Sequence, residues 1–144
     1  MCLNWPAVSE WDIASVSTGQ DTVRHALHCG TAPGGPCKEF EGLTGSAAWK
    51  DCEWHYVGFE VDRTRLNSAG VEEWSENRLN WYVDGVQTFS LSGEDVGDLG
   101  AWERIAYQGH FLVVDFAVDG EGDGEGEGEG GMGVEVDYVR VWNR

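Results

Sequence analysis

Arg78-Leu79-Asn80-Trp81-Tyr82-Val83-Asp84-Gly85-Val86-Gln87-Thr88-Phe89-Ser90-Leu91 reads as two strands folded back on each other. Leu79, Trp81 and Val83 occupy alternate positions and so share one face of a half-buried strand. Asp84-Gly85 follows at once, and two such residues between alternating runs are the strongest short-range hairpin signal. The same period extends outward. His55, Val57, Phe59 and Val61 share one face, with Tyr56 and Glu60 on the other. Residues 111–118 form a nearly continuous apolar run, as expected of a strand covered on both sides. Residues 134–142 give a last strand. Only residues 101–108, with Trp102 and Ile105 three apart, suggest a short helical turn. Short strands divided by turn signals predict an all-β sandwich or barrel.

The chain has 144 residues, 41% of them apolar, with 21 Gly and 3 Pro. That is room for one domain with a real core and too little for two. Eight Trp, five Phe and four Tyr supply a large aromatic surface. Nine Lys and Arg against 26 Asp and Glu leave a formal charge of −17. Such a field repels phosphate backbones and argues against a nucleic-acid partner. The apolar content is too high for a disordered acidic tail. No apolar run approaches the roughly 18 residues of a membrane span. Met1-Cys2-Leu3-Asn4-Trp5-Pro6 lacks the basic-then-apolar order of a signal peptide.

Four cysteines, Cys2, Cys29, Cys37 and Cys52, show no C-x-x-C spacing, which counts against a zinc site. Cys29 and Cys37 bracket Gly30-Thr31-Ala32-Pro33-Gly34-Gly35-Pro36, whose bends are able to bring the two sulfurs together. That pair reads as a disulfide and the lineage as secreted; four reduced thiols in a cytosolic protein are the alternative. Residues 119–131 alternate acid and glycine and hold six of the 26 acids. With no apolar side chain to bury, they read as a flexible acidic loop. Calcium is the other reading of so many carboxylates, but the spacing fits neither an EF-hand loop nor a glycine-rich nonapeptide repeat.

Chemistry, if the chain has any, lies near its start, in Trp5-Pro6-Ala7-Val8-Ser9-Glu10-Trp11-Asp12-Ile13-Ala14-Ser15. On a strand Glu10 and Asp12 point to one side, Trp11 and Ile13 to the other. Two carboxylates one pleat apart are costly unless they face a wet cleft, and like charges that close raise one pKa, as acid/base or nucleophilic work requires. The plain alternative is an exposed edge strand with two ordinary acids.

This segment resembles the active-site strand of glycoside hydrolase family 16, the laminarinase and β-1,3(4)-glucanase group. Leu27-His28-Cys29-Gly30 and Pro33-Gly34-Gly35-Pro36-Cys37 resemble the segment that follows it in fungal secreted members. Trp54-His55-Tyr56-Val57-Gly58-Phe59, Leu79-Asn80-Trp81-Tyr82-Val83-Asp84-Gly85 and Glu135-Val136-Asp137-Tyr138-Val139-Arg140-Val141-Trp142 resemble later strands, in the same order. The resemblance implies a partial β-jelly-roll sandwich of the concanavalin A-like type, with a β-glucan cleft across the concave sheet. It also implies a secreted or cell-wall protein with no cofactor. Residues 1–144 would be one domain that lacks the family's N-terminal strands.

The family strand carries three acids spaced E-x-D-x-x-E: nucleophile, helper and general acid/base. By correspondence Glu10 is the nucleophile and Asp12 the helper. An acid at i+5 falls on the wrong face of a regular strand, so a bulge must turn it back. Two carboxyls about 5 Å apart then suit a retaining double displacement. Here the third position is Ser15. A hydroxyl neither protonates a leaving oxygen nor deprotonates water near neutral pH, and losing that group costs roughly 10²–10⁴-fold. The chain is then an impaired hydrolase, a non-catalytic glucan-binding or cell-wall protein, or a degenerate gene fragment. Trp5 matches the family's sugar-stacking tryptophan, with a core role as the alternative. His28, beside Glu10, is placed to hydrogen-bond substrate or nucleophile, or serves structure alone. Trp54 and Trp81 fit packing as well as they fit the family pattern. Asp137 falls where some members use a carboxylate for calcium, yet no metal site is expected here.

Overall fold

The structure is a computed structural model that describes residues 4–17, 19–114 and 133–142. Along the chain come β1 (Glu10–Val16), β2 (Thr22–His28), β3 (Leu43–Ala48), β4 (Val57–Asp62), β5 (Arg78–Val83), β6 (Val86–Ser92), α1 (Gly93–Val96) and α2 (Leu99–Ala106). The expected hairpin joins β5 to β6. Its turn residues have φ of 51° at Asp84 and 79° at Gly85, the handedness that matches the twist of the flanking strands. β4 pairs along the other side of β5, giving an antiparallel sheet in the order β4-β5-β6. Its register sets Phe59 and Phe89 on either side of Trp81, with ring centroids 4.9 Å apart in both pairs.

The second sheet is antiparallel in the order β1-β2-β3. Along β2, Val23, His25 and Leu27 point inward and are wholly buried, the period expected of a strand with one covered face. Trp11 lies 4.7 Å from Phe59, and His25 stacks on Phe89. The two sheets therefore meet across one aromatic layer, an all-β sandwich as the alternation predicted. Trp102 and Ile105 of α2 join Leu27, Leu79, Trp81 and Leu91 in the core. Asp98 caps α2 by accepting from the Ala101 amide at 2.7 Å, and this cap starts the helix two residues before the expected position.

The alternation misleads in two places. Trp54 precedes β4, outside the sheet, and is 66% exposed; Trp81 alone of the two is a packing residue. Met1–Gly109 and His110–Arg144 form two separate compact units. Among the described residues of the second unit, 110–114 and 133–142, none is in a strand. Apolar period is a local signal, whereas a strand needs a ladder partner, which the period does not supply. Residues 115–118 of that expected strand, and the acid–glycine run 119–131, lie outside the described residues.

Gly45 marks a close approach between the sheets. A Cβ there would lie 2.5 Å from Cγ and Cδ2 of Phe89 and 3.0 Å from its Cβ. Gly45→Ala is therefore expected to push the sheets apart and to cost about 1–3 kcal/mol. Thr44→Ala, on the exposed face of the same strand, should stay within about 0.5 kcal/mol of wild type. Urea unfolding followed by tryptophan fluorescence measures both, and equal stabilities would show that the close packing at Gly45 carries no weight.

Candidate functional site

β1 opens on Glu10. Its register pairs Glu10 with His28, Trp11 with Leu27 and Asp12 with Ala26, then shifts so that Ser15 faces Arg24 and Val16 faces Val23. Ile13 and Ala14 thus span the single position of His25, which is a β-bulge. Arg24, Ala26 and His28 alternate along β2 and share a face. Glu10, Asp12 and Ser15, set opposite them, share it too. β3 extends the same surface, with Ser46 opposite Arg24 and Thr44 opposite Ala26. The result is a polar face on the side of this sheet turned away from the core.

Two core side chains hold the bulge from beneath. Trp81 donates its Nε1–H to the Asp12 carbonyl at 3.0 Å. His25 Nδ1 lies 2.7 Å from the Ile13 carbonyl; a carbonyl only accepts, so Nδ1 carries the proton. The other ring nitrogen of His25 lies 3.0 Å from Thr88 Oγ1. The carbonyls that a bulge takes out of regular pairing thus find buried donors, as unpaired backbone in a core must.

On the polar face, Trp5 donates its Nε1–H to Glu10 Oε2 at 2.7 Å, and its ring sits 5.6 Å from that of His28. Trp5 remains 42% exposed, so it is not a core residue. His28 is buried between two carboxylates. Its Nε2 is 3.5 Å from Asp12 Oδ2 and its Nδ1 is 2.8 Å from Glu39 Oε2. Glu39 Oε1 in turn accepts from the Cys29 amide at 2.8 Å. The Cys29–Cys37 disulfide is formed, with Cα atoms 5.3 Å apart, and Cys52 is free and exposed. Ser15 is exposed. Trp5, Glu10, Asp12, His28, Cys29 and Cys37 therefore gather at the Glu10 end of the β1–β2 pair, and Ser15 lies on the same face toward its other end, opposite Arg24.

Sequence reasoning missed Glu39 and Arg24. Arg24 donates from Nη2 to the Glu41 carbonyl at 2.7 Å, on the face that carries the acids. Glu39 sits in an irregular loop, where no periodicity assigns a face; its place two residues after Cys37 was the available signal. Among the described residues, no group of three or more His, Cys, Asp or Glu is arranged to hold a metal ion, and no helix is long and apolar enough to cross a membrane.

Burial raises the Asp12 carboxyl above its ordinary pKa, and the nearby Glu10 charge raises it further, while His28 and Arg24 pull it back. A carboxyl raised in this way binds its proton more readily folded than unfolded. Its effect on stability is nil below the unfolded value of about 4 and turns unfavourable as pH rises through the folded value. Asp12→Asn removes that penalty. The variant's melting temperature should gain on wild type as pH rises from below the unfolded value through the folded one, then run parallel to it. Thermal melts at fixed ionic strength test this, and a constant difference would mean that Asp12 ionises as freely as in water.

No protein-family model matches the chain, and no curated protein matches its sequence. Among solved structures it is similar to the crystal structure of an endo-1,3-β-glucanase from Streptomyces sioyaensis, with a TM-score of 0.60 and 30% sequence identity. The match covers 71% of this chain and 34% of that one, so the chain spans about a third of the glucanase's length. Its two antiparallel sheets are those of a β-glucanase-like jelly roll.

Proposed function

We propose that this chain is a glycoside hydrolase family 16-type protein that acts on β-1,3- or mixed β-1,3(4)-glucan by a retaining mechanism, impaired at its acid/base position. The bulge carries the reading: it brings the i, i+2 and i+5 positions, Glu10, Asp12 and Ser15, onto one face beside Trp5 and His28. The likeness to an endo-1,3-β-glucanase supports it. Glu10, oriented by Trp5, attacks the anomeric carbon and forms a glycosyl ester as the leaving oxygen departs. Asp12, one pleat away, steers the nucleophile through its charge. The exposed face of Trp5 offers a platform for the C–H face of a glucosyl ring. Ser15 stands where the leaving oxygen would receive its proton, and later where water would lose one.

Ser15 also favours a second reading, in which the same face binds glucan without turnover. The cystine supports a secreted or cell-wall setting for either reading, because disulfides persist in oxidising compartments.

An activated aryl leaving group needs little protonation, whereas a sugar hydroxyl needs much. The wild-type chain should therefore form a glycosyl-Glu10 adduct, seen by peptide mass, from an activated aryl β-glucan oligosaccharide, while hydrolysing laminarin barely if at all. Ser15→Glu should raise laminarin hydrolysis on the order of 10²-fold or more, and Glu10→Ala should abolish both reactions. Laminarin binding with no adduct under any condition supports the binding protein. Brisk laminarin hydrolysis with Ser15 in place overturns the assignment of the acid/base position.

A further inference from the structure

Glu39 lies behind the candidate site, in the loop that follows Cys37. Its side chain is wholly buried, a costly place for a carboxyl unless its oxygens are satisfied. Both are engaged: Oε1 accepts from the Cys29 amide and Oε2 lies 2.8 Å from His28 Nδ1. The Cys29 amide is fixed by the disulfide, and Cys37, the other end of that bridge, stands two residues before Glu39. A carboxylate offers only lone pairs, so the contact at Oε2 requires a proton on Nδ1. The neutral ring then has its free lone pair on Nε2, the nitrogen 3.5 Å from Asp12 Oδ2. Gly42 leaves room for this ring, because a Cβ there would lie 2.9 Å from His28 Cε1.

We infer that Glu39 is a positioning residue for the candidate site: held by the Cys29–Cys37 loop, it keeps the His28 proton on Nδ1 and aims Nε2 at Asp12. Nε2 then turns its lone pair toward Asp12 Oδ2, 3.5 Å away and beside the nucleophile candidate Glu10. The groups facing this pair are Glu10 and Asp12 from β1, Arg24 from β2 and Glu39 from the loop. None of them but Glu39 reaches Nδ1, so the choice of tautomer rests with Glu39. Glu39→Gln changes that choice. The amide oxygen keeps the Cys29 amide satisfied, which leaves an NH₂ group facing Nδ1; a donor there requires Nδ1 to accept, and the proton moves to Nε2. Any effect on glycosylation of Glu10 rests on the hydrolase reading above, but the tautomer does not.

The experiment is a long-range ¹H–¹⁵N correlation spectrum of the full chain labelled at histidine, taken at a pH where the His28 ring is neutral. Wild type should show the Nδ1–H tautomer and Glu39→Gln the Nε2–H tautomer. An Nε2–H ring in wild type overturns the inference, and this measurement stands even if the variant fails to fold. In the adduct assay, Glu39→Gln should slow labelling of Glu10 on the order of tenfold, less than where the histidine is itself the base. A switched tautomer with an unchanged labelling rate overturns the positioning role. Absence of labelling in wild type refutes the hydrolase reading and leaves the tautomer to decide this one.

Discussion

The Asp12 and Ile13 carbonyls, held by Trp81 Nε1 and His25 Nδ1, are the constraint on which the candidate site depends. A strand with a two-residue period places positions i and i+5 on opposite faces. Only an extra residue reverses that parity, and an extra residue exposes backbone groups that the ladder no longer serves. Two donors from the aromatic layer take them up. The bulge is thus a product of the core, and the core in turn is organised around it: Trp81 touches Phe59 and Phe89 with its ring and β1 with its N–H. A hydrogen bond of this kind is worth about 1 kcal/mol net, but leaving a buried carbonyl unpaired costs about 1–3. That asymmetry makes the bulged register the one this core accepts.

On the opposite side of the sheet the dominant force is electrostatic. The chain already carries −17, and Glu10, Asp12 and Glu39 converge within one corner of it. Different devices make this tolerable. Glu10 is exposed and accepts from Trp5. Glu39 is buried and accepts twice. Asp12, half-buried between them, has the weakest support, which is why its carboxyl rises. The site therefore holds an exposed acid and, one pleat away, a half-buried neighbour biased toward its proton.

The sequence made legible what is local. Asp84-Gly85 announced the hairpin through its turn chemistry, and the alternation in β4 and β5 named their faces. Glu10, Asp12, Ser15, Trp5 and His28 were readable as a group through the family resemblance; the first three lie on β1, His28 on β2 and Trp5 in the turn before β1. The disulfide was readable because the loop between its cysteines is short and rich in Gly and Pro. What depended on tertiary contact was not legible. Glu39 occupies a loop without period, and nothing in its neighbours says that its oxygens meet Cys29 and His28. His25 drew no reading from the sequence, yet it anchors the bulge. The apolar run beginning at Phe111 suggested a covered strand, but its described residues have no ladder partner. Period measures a wish for burial; pairing is decided elsewhere in the chain.

The two halves of this arrangement bear differently on Ser15. Every interaction that turns position 15 onto the polar face is made by something else: the carbonyls of Asp12 and Ile13, the rings of Trp81 and His25, the pairing with Arg24. The side chain at position 15 is exposed and takes no part in holding the bulge. Under the proposed hydrolase reading, exchanging a carboxylate for a hydroxyl there would remove the group that moves protons while leaving intact the geometry that would aim it. It also removes one negative charge from a face that already crowds several, so the exchange favours folding as it disfavours turnover. The converse holds for Glu39 and His28, whose burial ties them to the disulfide loop and to each other. A substitution at either disturbs structure and chemistry together. The face therefore combines an exposed position that holds none of the bulge with a buried Glu39–His28 pair tied to the disulfide loop.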